Sequence, residues 1–357
     1  MRFANVQRQA ATATTNEEGR NVHDTHEVEC PDCEAGITRR DFVKVVGGAA
    51  VAAGAIPLVV SPRSVQAAPT SSSGAETAVK RFYDTLSDDQ RKVICLPFDH
   101  ELRSKVHANW AVTEPQIKDD FYSDAQRELI DEILRGVTSE DGYQRFQKQM
   151  QDDRPGGVGA YHVAVFGDPG SGKFEWEMTG RHLTLRADGD SVASAAFGGP
   201  IVYGHGAADT RKNVFYYQTK KANEVFAALD ADQAVKALLP DAPRENQVPI
   251  QGTAGQFPGV PVSELSSDQQ ELVESVIGVM LAPYRPEDVS EALAVINSGG
   301  GFDKLHMAFY QTRDLNKDEV WDIWRVEGPS LVWHFRGAPH VHTYLNVGLQ
   351  AESAAGS

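Results

Sequence analysis

Lys173-Phe174-Glu175-Trp176-Glu177-Met178-Thr179-Gly180-Arg181-His182-Leu183-Thr184-Leu185-Arg186 is the stretch on which the fold class turns. Phe174, Trp176 and Met178 alternate with Glu175, Glu177 and Thr179, the two-residue period of a strand with one apolar and one polar face. His182 to Arg186 continues the sheet towards a turn at Asp188-Gly189, and a short apolar strand, 161–166, precedes it. A second strand group follows near the C-terminus: 305–311, 320–327 and 331–335, with Gly328-Pro329 turning the last two, then 341–347. Aromatic and β-branched residues dominate these runs, as a pleated, half-buried surface prefers.

Helices enter through one repeated device. Ser87, Ser123, Asp230 and Ser266 each stand three residues before a glutamine (Gln90, Gln126, Gln233, Gln269). The first residue caps a helix, and the glutamine reaches back to the cap's own N–H. Apolar residues follow at helical spacing, such as Leu129, Ile130, Ile133 and Leu134, or Leu272, Val273, Val276 and Ile277. The recurrence is read as a local solution to starting a helix, without inferring an ancient repeat. Helix-rich and strand-rich stretches do not alternate as βαβ units would. The expectation is an α+β fold, an antiparallel β-sheet core with helices segregated around it, as one domain over 76–350.

Gly167-Asp168-Pro169-Gly170-Ser171-Gly172-Lys173 matches the front of a phosphate-binding loop. Phe174 stands where Ser or Thr would hold magnesium, and a strand pattern follows instead of a helix, so no helix N-terminus is offered to a phosphate. The segment reads as a hairpin turn.

The histidines carry the chemistry. His340-Val341-His342 places two imidazoles on one face of a strand, roughly 6–7 Å apart at the backbone. His182 is the best third ligand, with Gly180 permitting a bulge that re-aims it. Imidazoles suit copper, zinc, nickel and iron alike. Copper is favoured here as the centre of an oxidoreductase, with Met178 or Met307 as a soft ligand and Trp176, Trp324 and Trp333 shaping the pocket. The alternative is a zinc hydrolase in which Glu175 or Glu177 acts as general base. A third reading is a non-catalytic binding protein whose sheet face holds a small molecule. His334 and His205 are weaker candidates, the latter in a flexible loop.

Thr38-Arg39-Arg40-Asp41-Phe42-Val43-Lys44 resembles a twin-arginine export signal. The apolar run 45–60 is shorter than the roughly 20 residues of a permanent span, and small residues suit cleavage after Ala67. This reading makes 1–67 a signal region and 68–75 a linker. It sends the domain to the periplasm or medium, with the translocase as partner during export and no stable membrane span. His23, His26, Cys30 and Cys33 in the leader could hold zinc, and would leave with the signal. After cleavage Cys95 stands alone, so no intramolecular disulfide forms. The chain has 50 acidic against 34 basic residues, net −16, which argues against nucleic acid as a partner and leaves a small molecule as the expected substrate.

The region from Glu76 to Gly348 resembles the DUF3500 family. Trp176-Glu177-Met178-Thr179-Gly180-Arg181-His182-Leu183-Thr184-Leu185 is close to that family's W-x-x-x-G-H-H-L-S-L, and Pro339-His340-Val341-His342-Thr343 to its H-x-H-T. Val326-Glu327-Gly328-Pro329-Ser330-Leu331 also fits. Two departures stand out: Arg181 replaces the first histidine of the pair, and Leu345-Asn346-Val347-Gly348 replaces an acidic ending. The resemblance supplies no reaction.

Overall fold

The structure is a computed structural model, and it describes residues 68–350. The expected signal motif with Arg39 and Arg40, and the Cys30/Cys33 cluster, lie outside the described residues. Among the described residues, no helix is long and apolar enough to cross a membrane.

The elements fall in two successive groups. The first holds α1 (Gly74–Thr85), α2 (Asp88–Ile94), β1 (Cys95–Leu96), α3 (Asp124–Gly136), α4 (Glu140–Asp153), β2 (His162–Gly167), β3 (Phe174–Gly180), β4 (Leu183–Ala187) and β5 (Ile201–His205). The second holds α5 (Tyr216–Ala228), α6 (Ala231–Ala237), β6 (Leu238–Leu239), β7 (Val260–Pro261), α7 (Ser267–Leu281), α8 (Pro286–Ser298), β8 (His306–Tyr310), β9 (Ile323–Gly328), β10 (Leu331–Arg336) and β11 (Val341–Val347). All eleven strands join one mixed, mostly antiparallel sheet in the order β1-β2-β3-β4-β5-β11-β10-β9-β8-β6, with β7 paired to β8. The fold is α+β, as the strand and helix patterns require.

The sheet is two four-stranded meanders joined antiparallel through their last strands, β5 and β11. Each meander is flanked by a two-residue strand running parallel to its first strand, β1 on β2 and β6 on β8. The helix starts repeat in the same way. All four capping boxes form. Gln90 and Gln126 hydrogen-bond to each other, as do Gln233 and Gln269, each pair 36 residues apart. Gln126 and Gln269 each also donate to a carbonyl 41 residues back, Thr85 and Ala228. The recurrence is therefore not only local: it marks two halves with one design, related about the β5–β11 joint.

One sheet face packs on the helices. Phe174, Trp176 and Met178 of β3, Tyr203 of β5, Trp333 and Phe335 of β10 and Leu345 of β11 all enter that core, with Phe82, Ile130, Phe146 and Val273 from the helices. The other face is the polar one in the alternation, and it is not solvated. Segments 96–112 and 239–250 cover it through small apolar clusters: Phe98, Leu102 and Trp110 on Ala164 and Phe166, and Ala108 and Val248 on Val202 and Tyr344.

One local expectation shifts and another holds. The linker is shorter than 68–75, because α1 begins at Gly74 and Glu76 is buried to accept both Arg285 amino groups, at 2.7 and 2.8 Å. The phosphate-loop look-alike is the β2–β3 turn, where the Asp168 carboxylate accepts from Gly170 N–H at 2.7 Å and Ser171 Oγ at 2.7 Å.

Candidate metal centre

His182 sits in the tight turn between β3 and β4, whose flanking pair is Gly180 opposite Leu183. No bulge re-aims it. His182 itself adopts φ 59°, in the left-handed region, a conformation that costs about 1–2 kcal/mol away from glycine and is often found at functional sites. Its N–H donates to Ala108 O at 2.6 Å, which pins the turn to the covering segment. Gly180 is required for a different reason: a Cβ there would collide with the Tyr161 ring.

His340 precedes β11, and His342 lies within it opposite Gly204 of β5 and Arg336 of β10. Gly204 and Gly206 leave room for His182. A Cβ on the first would lie 3.3 Å from His182 Cβ, and one on the second 3.3 Å from His182 Cε1. The three rings thus meet at one end of the β5–β11 joint. Their centres are 5.0, 4.7 and 4.8 Å apart, and one ligand atom from each lies within 4.8 Å of the others. An ion at roughly 2.0–2.1 Å from each nitrogen holds imidazole centres about 5 Å apart and no two nitrogens more than about 4.2 Å apart, so the ring centres match and the 4.8 Å spread of the nitrogens closes by a small turn of a ring. The residues fit a metal.

The hydrogen bonds also select the tautomers. His182 Nδ1 is 2.6 Å from Asp153 Oδ2, and His342 Nδ1 is 2.9 Å from Glu245 Oε1. A carboxylate only accepts, so both Nδ1 atoms carry a proton, and Nε2 is the atom on each ring left to offer a lone pair to a metal. His340 Nε2 and His342 Nε2 lie 3.0 Å apart, close enough for a proton or a cation to bridge them. Burial works against ionisation of Asp153, but hydrogen bonds from His182, Gln149 and Gly206 N–H hold its carboxyl below the usual range. Burial is likewise overcome at Glu245, where His342 and the Arg336 charge bring it down to about 2. Burial, the two other histidines and the charges of Arg336 and Arg181 lower His340 to about 4. Burial also lowers His342, against its bond to Glu245. Neutral imidazoles backed by ionised carboxylates are the usual arrangement behind metal-ligating histidines.

The other sequence candidates stand elsewhere. Glu175 and Glu177 face the covering segments, both fully buried. Arg186 Nη1 donates to both, at 3.3 Å to Glu177, and Arg103 pairs with Glu175 at 3.2 Å. They lie roughly 10 Å or more along the hairpin from the His182 turn, so the structure does not bring them to the trio as bases. Burial raises Glu177 to about 8 against the Arg186 charge. Trp176, Trp324 and Trp333 face the helices, with Trp324 and Trp333 in edge contact at 4.4 Å. They form core and line no site at the trio. Met178 and Met307 share that helix-side core, on the face opposite His342. His205 ends β5 fully buried, its Nε2 3.1 Å from Asp152 and its Nδ1 accepting from Val214 N–H. His334 Nδ1 accepts from Arg325 at 3.3 Å.

Sequence reasoning missed Asp153 and Glu245. They lie 29 and 97 residues from their histidines, at the end of α4 and in a covering segment, and no local pattern marks them.

Residues 68–346 match the model of a protein family described as a protein of unknown function, DUF3500. The chain belongs to that family. The match takes in both halves of the sheet, and with them all three histidines and both carboxylates. No curated protein and no solved structure matches the chain. Arg181 stands beside His182 in the β3–β4 turn.

Proposed function

We propose that this DUF3500 domain is a mononuclear metalloenzyme. Its ion sits on Nε2 of His182 and His342 and on a ring nitrogen of His340, and acts as a Lewis acid on a small molecule after twin-arginine export. The observation that carries this is the pair of carboxylates, Asp153 and Glu245, which fix two imidazoles with their lone pairs turned into one gap. Zinc is the first ion to test. A site of three imidazoles with open positions suits it, and it would supply polarisation of a bound carbonyl, phosphoryl group or water. Copper in an oxidoreductase, favoured on the sequence alone, moves to second. Three imidazoles accept it and it binds nitrogen donors more tightly, but the two methionines that would have added a soft ligand face the other side of the sheet.

Elemental analysis of protein purified from the periplasm or medium without chelator tests the reading. About one equivalent of zinc is expected, and a His340→Ala, His342→Ala double variant should lose it. Full metal content in that variant would remove the site. Replacing Arg39 and Arg40 by lysine should leave the precursor in the cytoplasm, read by fractionation. Unchanged export would refute the signal assignment.

A further inference from the structure

We propose that the cleft beside the trio is an oxyanion subsite, with Arg181 selecting a small substrate that carries a carboxylate or a phosphate. This rests on the trio being a metal centre. The cleft holds about 260 Å³ and is lined by Asn109, Trp110, Gln116, Arg154, His162 and Arg181, among others. That is below the roughly 300–1,000 Å³ of sites for drug-sized ligands, so its occupant is small. The lining is rich in donors. Among the described residues neither the Arg154 nor the Arg181 guanidinium has an ion-pair or hydrogen-bond partner. Two unpaired guanidinium groups in one cleft run against the balance of a chain with 50 acidic and 34 basic residues.

Arg181 joins the cleft to the trio. A Cβ built on Gly206 would lie 3.3 Å from Arg181 Nη2 and 3.3 Å from His182 Cε1, so the guanidinium and the imidazole are neighbours across that glycine. The cleft also follows the 109–111 segment, where Asn109 bridges to Arg181 and Ala108 O accepts from His182 N–H.

Charge points the same way. Asp153 and Glu245 back the histidines, and Arg336 Nε lies 2.9 Å from Glu245 Oε2. With Arg181, the two carboxylates meet two guanidiniums and cancel. A divalent ion would then leave the site positive, and Arg154 adds to that charge, which favours a bound anion. A guanidinium offers paired N–H donors that match the two oxygens of a carboxylate or phosphate. The substrate would be anchored by its oxyanion at Arg181 and Arg154, with its reacting group at the ion.

Calorimetric titration with inorganic phosphate and, separately, acetate tests this on full-length mature protein, metal-loaded and metal-free. The parent should bind one of the two saturably, and the tighter one names the class. Arg181→Ala should weaken that binding at least tenfold, Arg181→Lys less, and the exposed Arg154→Ala should weaken it with no change in thermal stability. Metal content of each sample is measured by elemental analysis. Equal affinity in parent and Arg181→Ala at unchanged metal content overturns the subsite while the metal centre stands, as does no saturable binding by the parent. If no preparation holds metal, the centre fails, and the metal-free titrations decide the arginine cleft by the same comparison.

Discussion

Two imidazoles of the trio, His182 and His342, are held by carboxylates outside their own strands. His182 depends on a left-handed backbone, on Gly204 and Gly206 beneath it, and on Asp153 behind it. Asp153→Asn and Glu245→Gln keep the shape but replace a charged acceptor by an amide that can rotate its NH₂ towards the ring. Each should lower metal affinity about 10- to 100-fold, the usual effect of losing a carboxylate behind a ligating histidine, and competition against a chromophoric chelator measures it. Parent affinity in both variants would mean the carboxylates do not position the site. Glu177→Gln, by contrast, should leave metal affinity unchanged, because its partner is Arg186. The trio itself was legible: two histidines two residues apart at the start of a strand, and one two residues after a glycine. The carboxylates were not, since their meeting with the rings is set by how α4 and segment 239–250 pack on the sheet ends.

The capping boxes show how a local rule becomes a tertiary one at the scale of the element. Serine or aspartate followed three residues later by glutamine is readable as a helix start, and all four starts are real. What the pattern hides is that the same glutamine amide reaches across to a second helix. Gln126 accepts from Ser123 N–H at 3.0 Å, and donates to Thr85 O and Gln90 Oε1 at 3.1 and 3.0 Å. Gln269 does the same with Ser266, Ala228 and Gln233. Gln126→Ala and Gln269→Ala should each destabilise by about 1–3 kcal/mol, the cost of unpaired buried polar groups plus a lost cap, as read by urea denaturation. A large cost in one half and none in the other would argue against equivalent roles. The polar face of β3 shows the opposite limit. Alternation told which residues share a face, but whether that face meets water or a covering segment depends on residues 96–112, which carry no periodicity of their own.

Across the whole molecule, the two halves share an architecture, and both supply carboxyls to a buried cluster that bears on the response to pH. Between the helices and β4 lies an acidic cluster. Burial, with Asp188 and Asp288 nearby, raises Glu291 to about 8. Burial outweighs the Arg285 charge and raises Asp288 to about 7, and burial raises Asp188 to about 6. These carboxyls keep protons in the folded state that the unfolded chain has released, so their contribution is complete below about pH 4 and is lost as pH rises towards 8. Asp153 and Glu245 act in the reverse sense: their folded values are lowered, and their contribution is lost only as pH falls below the ordinary carboxylate range. Between pH 5 and 8 the histidines whose values burial lowers, His334, His340 and His342 among them, work in the opposite direction, and the acidic cluster's own share of stability falls with rising pH. Glu291→Gln removes the largest of these shifts, and an amide oxygen can still accept from Phe197 N–H, as Oε2 does at 3.4 Å. Thermal melts in the presence of chelator, which keeps metal loading out of the comparison, should show the variant about 3 °C above the parent at pH 8 and level with it at pH 5. A gain of equal size at both pH values would mean that Glu291 destabilises the fold by packing and not by its charge.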